Sequence, residues 1–156
     1  MNRRVWRLSK TRFAPGLDGE GARLAGGRWN GPGQALVYCS ANLSLAVLET
    51  LVHMAPAMRR PGVFPELAKV ALDIPDDIEA EQWRGHAAPG DFPDERETRA
   101  FGDRWLAEGR TAALSVPSAI IPEESNVLLN PRHPDFARVS VAFQAPFRFD
   151  DRLAAR

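Results

Sequence analysis

Surplus charge of one sign, paired cysteines and long apolar runs are all missing from this chain. Its 156 residues carry twenty basic and twenty acidic side chains, a net charge of zero, and without a surplus there is no bulk field to grip a phosphate backbone or an anionic lipid surface. No direct nucleic-acid partner is expected. A single cysteine, Cys39, cannot close an internal disulfide and has no CxxC or Cys/His spacing around it for zinc. A cytoplasmic location suits it. The stretch poorest in charge, Ala35 to Val52, is interrupted by Asn42 and Glu49, too broken to cross a bilayer, and no membrane association is expected. Arg3, Arg4 and Arg7 are followed by no apolar run of signal-peptide length before Pro15 and Gly16, so secretion is not expected either.

Several catalytic signatures are missing as well. His53, His86 and His133 share no HExxH-type ligand spacing, which argues against a metal site. Ser118 stands outside any GxSxG elbow, so a serine hydrolase has little support. Glycines recur at Gly16, Gly19, Gly21, Gly31 and Gly33, but never as a GxGxxG fingerprint between a strand and a helix, and a Rossmann reading fails.

What is present is an ordinary globular composition, 44% hydrophobic and 26% charged, of a length suited to one domain spanning 1–156 with a genuine core. Thirteen prolines and twelve glycines scattered throughout point to many short elements joined by turns. Strands are expected at Val5–Leu8, Ala35–Cys39, Leu67–Ile74, Ala112–Val116, Ala119–Ile121, Val127–Leu129 and Val139–Phe143. Helices are expected at Leu43–Met54, capped by Ser40 or Asn42, and at Asp94–Glu108, begun after Pro93, stopped by Gly109 and carrying an apolar stripe of Phe101, Trp105 and Leu106. Strands outnumber helices without alternating with them, which predicts an α+β domain with a compact mixed sheet. Residues 14–33 hold so much glycine that they read as an irregular loop able to bring backbone close to a ligand.

Within this frame a few residues stand out. On a helix turning about 100° per residue, Glu49 falls about 40° from Leu45 and about 60° from Val52, in or beside the stripe they form with Leu48. A carboxylate there needs a partner or a cavity, unless that edge of the helix is simply wet. Arg28, in Gly26-Gly27-Arg28-Trp29-Asn30, offers a planar fork for a carboxylate or diphosphate, or is a plain surface arginine. Tyr38, the sole tyrosine, sits where its ring stacks on a flat heterocycle or merely fills the core. Ser118, after Pro117, and the Ser125-Asn126 pair lie at strand breaks, where closing a turn is the simplest role.

The order of these segments carries more than any one of them. GGRWN, then ALVYCS, then SLAVLETL, then WLAEGRTAALSVPSAIIPEESNVLLNPRHPDF resembles the RES domain family, over about residue 3 to residue 149. The resemblance implies a fold similar to that of ADP-ribosyltransferase toxins, a toxin partnered by an Xre-type antitoxin, and NAD as substrate rather than cofactor. Arg28, Tyr38, Glu49 and Ser118 match the family's motif positions as catalytic residues, and Asn126 lies in the matching SN pair; Arg28, Tyr38, Ser118 and Asn126 would hold the dinucleotide. Implied too is cleavage of the nicotinamide–ribose bond. Glu49 would stabilise the oxocarbenium-like transition state, Arg28 would bind phosphate or ribose, Tyr38 would stack on or orient nicotinamide, and Ser118 would hydrogen-bond the ribose or amide. Water, phosphate or a protein as acceptor, and a catalytically idle module that only binds the antitoxin, stay open. So do a homodimer, for which no seam is legible, and the role of the charged segment 76–99.

Overall fold

A computed structural model describes residues 2–156. In chain order the elements are β1 (Asn2–Lys10), α1 (Glu20–Ala25), β2 (Val37–Ser40), α2 (Leu43–His53), β3 (Leu67–Pro75), β4 (Ala80–Gln82), α3 (Glu95–Glu108), β5 (Ala113–Pro117), β6 (Ser125–Leu129) and β7 (Ser140–Phe147). The strands form one mixed sheet in the order β4-β5-β6-β2-β1-β3-β7. Only β4 and β5 run parallel. The compact mixed sheet with a few helices is the expected fold class.

The sheet is nearly two sheets. β1 pairs with β3 along its whole length, and β2 with β6 along its own, but β1 and β2 meet through the single register pair Trp6 opposite Ser40. Residues of both strands at this junction, Trp6 to Leu8 and Tyr38 to Ser40, line the cleft described below. Each half has its own packing. Trp29, Leu36, Trp105, Leu114, Val116 and Leu128 seat α3 and the glycine loop on β5 and β6, while Leu51, Leu67 and Phe149 join α2 to β3 and the C-terminal segment. Beneath both runs a cluster that includes Val5, Val37, Cys39, Val70, Leu72 and Leu129. β3 is deeply enclosed, with Val70, Ala71 and Leu72 fully buried, as its near-continuous apolar sequence requires.

Local chemistry explains the helix limits. Asn42 caps α2 by accepting from the Leu45 amide at 2.8 Å, and Asp94 caps α3 by accepting from the Glu97 amide at 2.9 Å. Gly109 ends α3 in the left-handed region at φ 60°, where a side chain is strained. Trp105, wholly buried, keeps its indole N–H satisfied on Thr111 Oγ1 at 2.9 Å.

Four expectations need correction. Residues 14–33 contain a short helix, α1, which begins after Gly19 turns the chain in the left-handed region and the Glu20 amide donates to Asp18 Oδ1 at 3.0 Å. Ala119–Ile121 is a turn rather than a strand: the amides of Ile120 and Ile121 both donate to Ser118 Oγ at 3.1 Å, so they are unavailable to a ladder. β7 extends to Phe147, and β4 exists at all, because neighbouring strands supply partners that no local pattern announces.

Candidate functional site

The glycine loop is clamped onto α3. Thr98 Oγ1 donates to the Arg28 carbonyl at 2.5 Å, Arg99 Nε donates to the Gly27 carbonyl at 2.7 Å, and Asp103 Oδ1 accepts from the Gly31 amide at 2.8 Å. Gly102 completes the seat. A Cβ there would stand 1.7 Å from the Trp29 carbonyl oxygen. From the other side Asn30, fully buried, donates through Nδ2 to the Ala22 and Gln34 carbonyls at 2.9 and 3.0 Å. The loop that carries Arg28 is thus a rigid part of the fold.

Tyr38 is tied into the same loop. Its hydroxyl donates to Asn30 Oδ1 at 2.7 Å and accepts from the Trp29 amide at 3.0 Å. Burial holds the phenol far above its ordinary range, so it acts as a neutral hydrogen-bonding group. Gly27 permits this approach, since a Cβ would lie 2.5 Å from the Tyr38 oxygen.

Glu49 projects from α2 into a second network. Its Oε1 accepts from Ser118 Oγ at 2.7 Å and from Asn126 Nδ2 at 2.7 Å. Asn126 Oδ1 in turn accepts from Ser40 Oγ at 2.7 Å. With two backbone amides already donating to it, the Ser118 oxygen has its hydrogen free for the carboxylate. Every proton in the chain Ser40–Asn126–Glu49–Ser118 therefore has one direction, and Oε1 is held from two sides. Oε2 stands 4.0 Å from His53 Nε2. The helix stripe differs from the periodic expectation: Leu45, Ala46 and Leu51 are buried and Val52 is over half exposed, because α2 turns its Glu49 edge toward a cavity.

That cavity is a cleft of about 730 Å³ bordered by Arg28, Tyr38, Glu49 and Asn126 together. The volume falls in the range of small-molecule sites. Ser118 is the exception among the expected site residues. It is fully buried and stands behind Glu49, so its contact with the cleft runs through the carboxylate.

Two arginines on the cleft wall escaped the sequence reading. Arg7 of β1 lines it, and its buried Nε has no hydrogen-bond partner among the described residues. The signal was there: period-two alternation places Arg7 on the face of Val5 and Ser9, both buried. Arg99 was hidden in a charged helix and is recognisable only once α3 is seen against the loop. The cleft is thus bordered by Arg7, Arg28 and Arg99 as well as by the carboxyl-bearing Glu49 and Glu95, the last paired with Arg99. Guanidinium groups can receive an anionic ligand, and a fixed carboxylate can stabilise developing positive charge. Among the described residues, no three His, Cys, Asp or Glu side chains cluster as metal ligands, and no helix is long and apolar enough to cross a membrane.

Comparison with known proteins agrees with the architecture. The RES domain profile matches residues 4–150. The chain is 36% identical over 163 residues to the Prs ADP-ribosylating toxin of Sphingobium sp., with 98% of each chain covered. It is 38% identical over 156 residues to Toxin Res of Yersinia enterocolitica, covering 96% of this chain and 98% of that one. Among solved structures, a chain of the M. tuberculosis MbcT-MbcA toxin-antitoxin complex superposes with a TM-score of 0.74 over 94% of this chain and 85% of that one, at 15% identity. The shared fold extends across nearly the whole chain. This protein belongs to the RES domain family, among full-length relatives that are named as toxins.

Proposed function

We propose that this protein is a toxin that cleaves NAD between nicotinamide and ribose, depleting the cellular pool and arresting growth. The observation that carries the reading is Glu49, whose Oε1 is held by Ser118 and Asn126 while the carboxylate faces a cleft shared with Arg7 and Arg28. Breaking the bond sends its electron pair to the departing nicotinamide and leaves positive charge spread over C1′ and the ring oxygen of the ribose. A carboxylate fixed in advance stabilises that charge without having to reorganise. Arg7 and Arg28 hold the anionic diphosphate, and the Tyr38 ring bears on the nicotinamide end. Ser118 contributes through Glu49, which refines the direct contact expected from the resemblance.

The cation at C1′ is closed by an oxygen nucleophile that loses its proton as the new bond forms. Water, giving ADP-ribose, and inorganic phosphate, giving ADP-ribose 1-phosphate, are the simplest acceptors. A protein acceptor is the second reading, favoured by the relative named an ADP-ribosylating toxin. NAD is the substrate, with no further cofactor in the scheme. The partner is an Xre-type antitoxin that covers the cleft and sets an acidic group on Arg28; the MbcT-MbcA complex pairs a toxin with its antitoxin in the same fold.

Purified protein incubated with NAD releases nicotinamide, and Glu49→Gln, which keeps the shape and removes the charge, lowers the rate by at least about a hundredfold. Equal release by the variant removes Glu49 from the mechanism. Label from NAD appearing on a protein band in cell extract, with no free ADP-ribose or its 1-phosphate, replaces NAD depletion by protein modification.

A further inference from the structure

The segment 83–93, between β4 and α3, belongs to the charged stretch for which the sequence suggests no role. In the structure it packs against the glycine loop behind Arg28, a residue of the cleft wall. Trp83 sets its ring edge-on to Trp29 at 5.4 Å and 77°, and Phe92 lies nearly parallel to Trp83 at 6.4 Å and 22°. Gly85 passes so close to the Trp83 ring that a Cβ would meet it at 2.0 Å, so the chain folds tightly over that indole. Trp29 is almost completely buried and directly follows Arg28. The segment is therefore anchored beside the very residue it reaches with its far end: the Arg28 guanidinium carbon stands 5.2 Å from the centre of the Phe92 ring.

This contact matters because of what Arg28 otherwise has. Its backbone carbonyl is held by Thr98, which fixes the Cα but leaves a long, rotatable side chain. Neighbouring acids are engaged elsewhere, Glu95 with Arg99 and Asp103 with the Gly31 amide, and none of the ion pairs among the described residues involves Arg28. An aromatic face attracts a guanidinium without neutralising it. A carboxylate in the same place would compete with an anionic ligand for the same N–H groups.

We infer that Phe92 is a positioning residue, aiming the uncompensated Arg28 guanidinium into the cleft for the diphosphate of the dinucleotide, and so governing substrate affinity rather than bond cleavage. The inference rests on the proposed function. Its physical content is preorganisation: an arginine already held in its binding direction loses less freedom when the anion arrives.

The test is steady-state NAD turnover by Phe92→Leu, which keeps apolar bulk and removes the ring quadrupole, and by Phe92→Tyr, which keeps both. Phe92→Leu raises KM about five- to thirtyfold, the span of a partly desolvated cation–π contact, with kcat within about twofold. Phe92→Tyr behaves as the wild type. In an Arg28→Ala background, Phe92→Leu adds less than about twofold to KM, because the partner through which it acts is gone. A KM indifferent to Phe92→Leu, a kcat loss without a KM change, or the same KM increase in both backgrounds overturns the inference and leaves the proposed function standing. Wild-type protein that neither binds nor consumes NAD overturns the proposed function and this inference together. Should Phe92→Leu fail to fold, the wild-type protein still decides the matter: an upfield ring-current shift of the Arg28 Nε–H resonance supports the contact, and an unshifted resonance overturns it.

Discussion

Ser118→Ala separates a residue that touches the substrate from one that holds Glu49 in place. The change removes one oxygen and leaves the Cβ, so no atom is forced against a neighbour. Glu49 Oε1 loses one of its two supports, the 2.7 Å bond from Ser118 Oγ, and keeps the 2.7 Å bond from Asn126. A hydrogen bond to a charged group contributes about 1.5 to 3 kcal/mol. If that energy is expressed in the transition state, kcat for nicotinamide release falls about 10- to 150-fold. KM moves little, because Ser118 is buried behind the carboxylate and lends nothing to the cleft wall. The same change orphans the amides of Ile120 and Ile121, which lose their shared acceptor. A stability loss of about 1 to 3 kcal/mol follows, read as a fall in Tm of about 2 to 12 °C. Initial rates across a range of NAD concentrations, with a thermal melt of the same sample, measure all three quantities. A KM that rises while kcat holds refutes the reasoning, since it means the hydroxyl reaches the substrate directly. Unchanged kcat and KM in a destabilised protein reduce Ser118 to a turn residue.

The remaining expectations concern the frame around the site. Gly102→Ala drives a methyl to 1.7 Å from the Trp29 carbonyl, so α3 must leave the glycine loop and both folding yield and nicotinamide release collapse; Gly21→Ala, with nothing within 4 Å of its Cβ, gains about 0.5 to 1 kcal/mol in chemical denaturation. Burial pushes the Cys39 thiol up to about 11, against a smaller opposing pull from Arg7, whereas in the unfolded chain it titrates near its ordinary value of about 8.5. Between those values the unfolded chain has released a proton that the folded chain keeps, so this group makes stability fall as pH rises from about 9 to 11. Cys39→Ala flattens that component of the slope in denaturant titrations, and iodoacetamide labels native Cys39 only at the rate of unfolding. An unaltered slope in Cys39→Ala sets the thiol aside as its source.

Local chemistry was legible along the chain. Asn42 was one of two residues that read as a cap because a short oxygen-bearing side chain satisfies free first-turn amides, and Gly109 read as a stop because the left-handed region suits glycine. The glycine-rich approach to Arg28, the corner at Tyr38 and the misplaced acid Glu49 were visible as violations of local rules, which is where function tends to sit. Arg7 is hard to read from the chain because it stands among the arginines of the N-terminal segment, and only its alternation with buried Val5 and Ser9 marks it as inward-facing. Ala119–Ile121 misled because three apolar residues look like a strand when the competing acceptor, Ser118 Oγ, is a side chain.

Periodicity and end signals thus indicated the two long helices, most of the strands and the mixed α+β class, since these depend on residues a few positions apart, while the RES family was legible as a resemblance of ordered segments. Pairing across distance was decided by the tertiary structure alone. Ser118 and Asn126 reach Glu49 from 69 and 77 positions away, and the cleft lies at the junction where β1 and β2 meet through Trp6 and Ser40. No local pattern encodes which strands part. That outcome reflects the summed packing of three separate core clusters, and the direction in which a carboxylate or a guanidinium points follows from it.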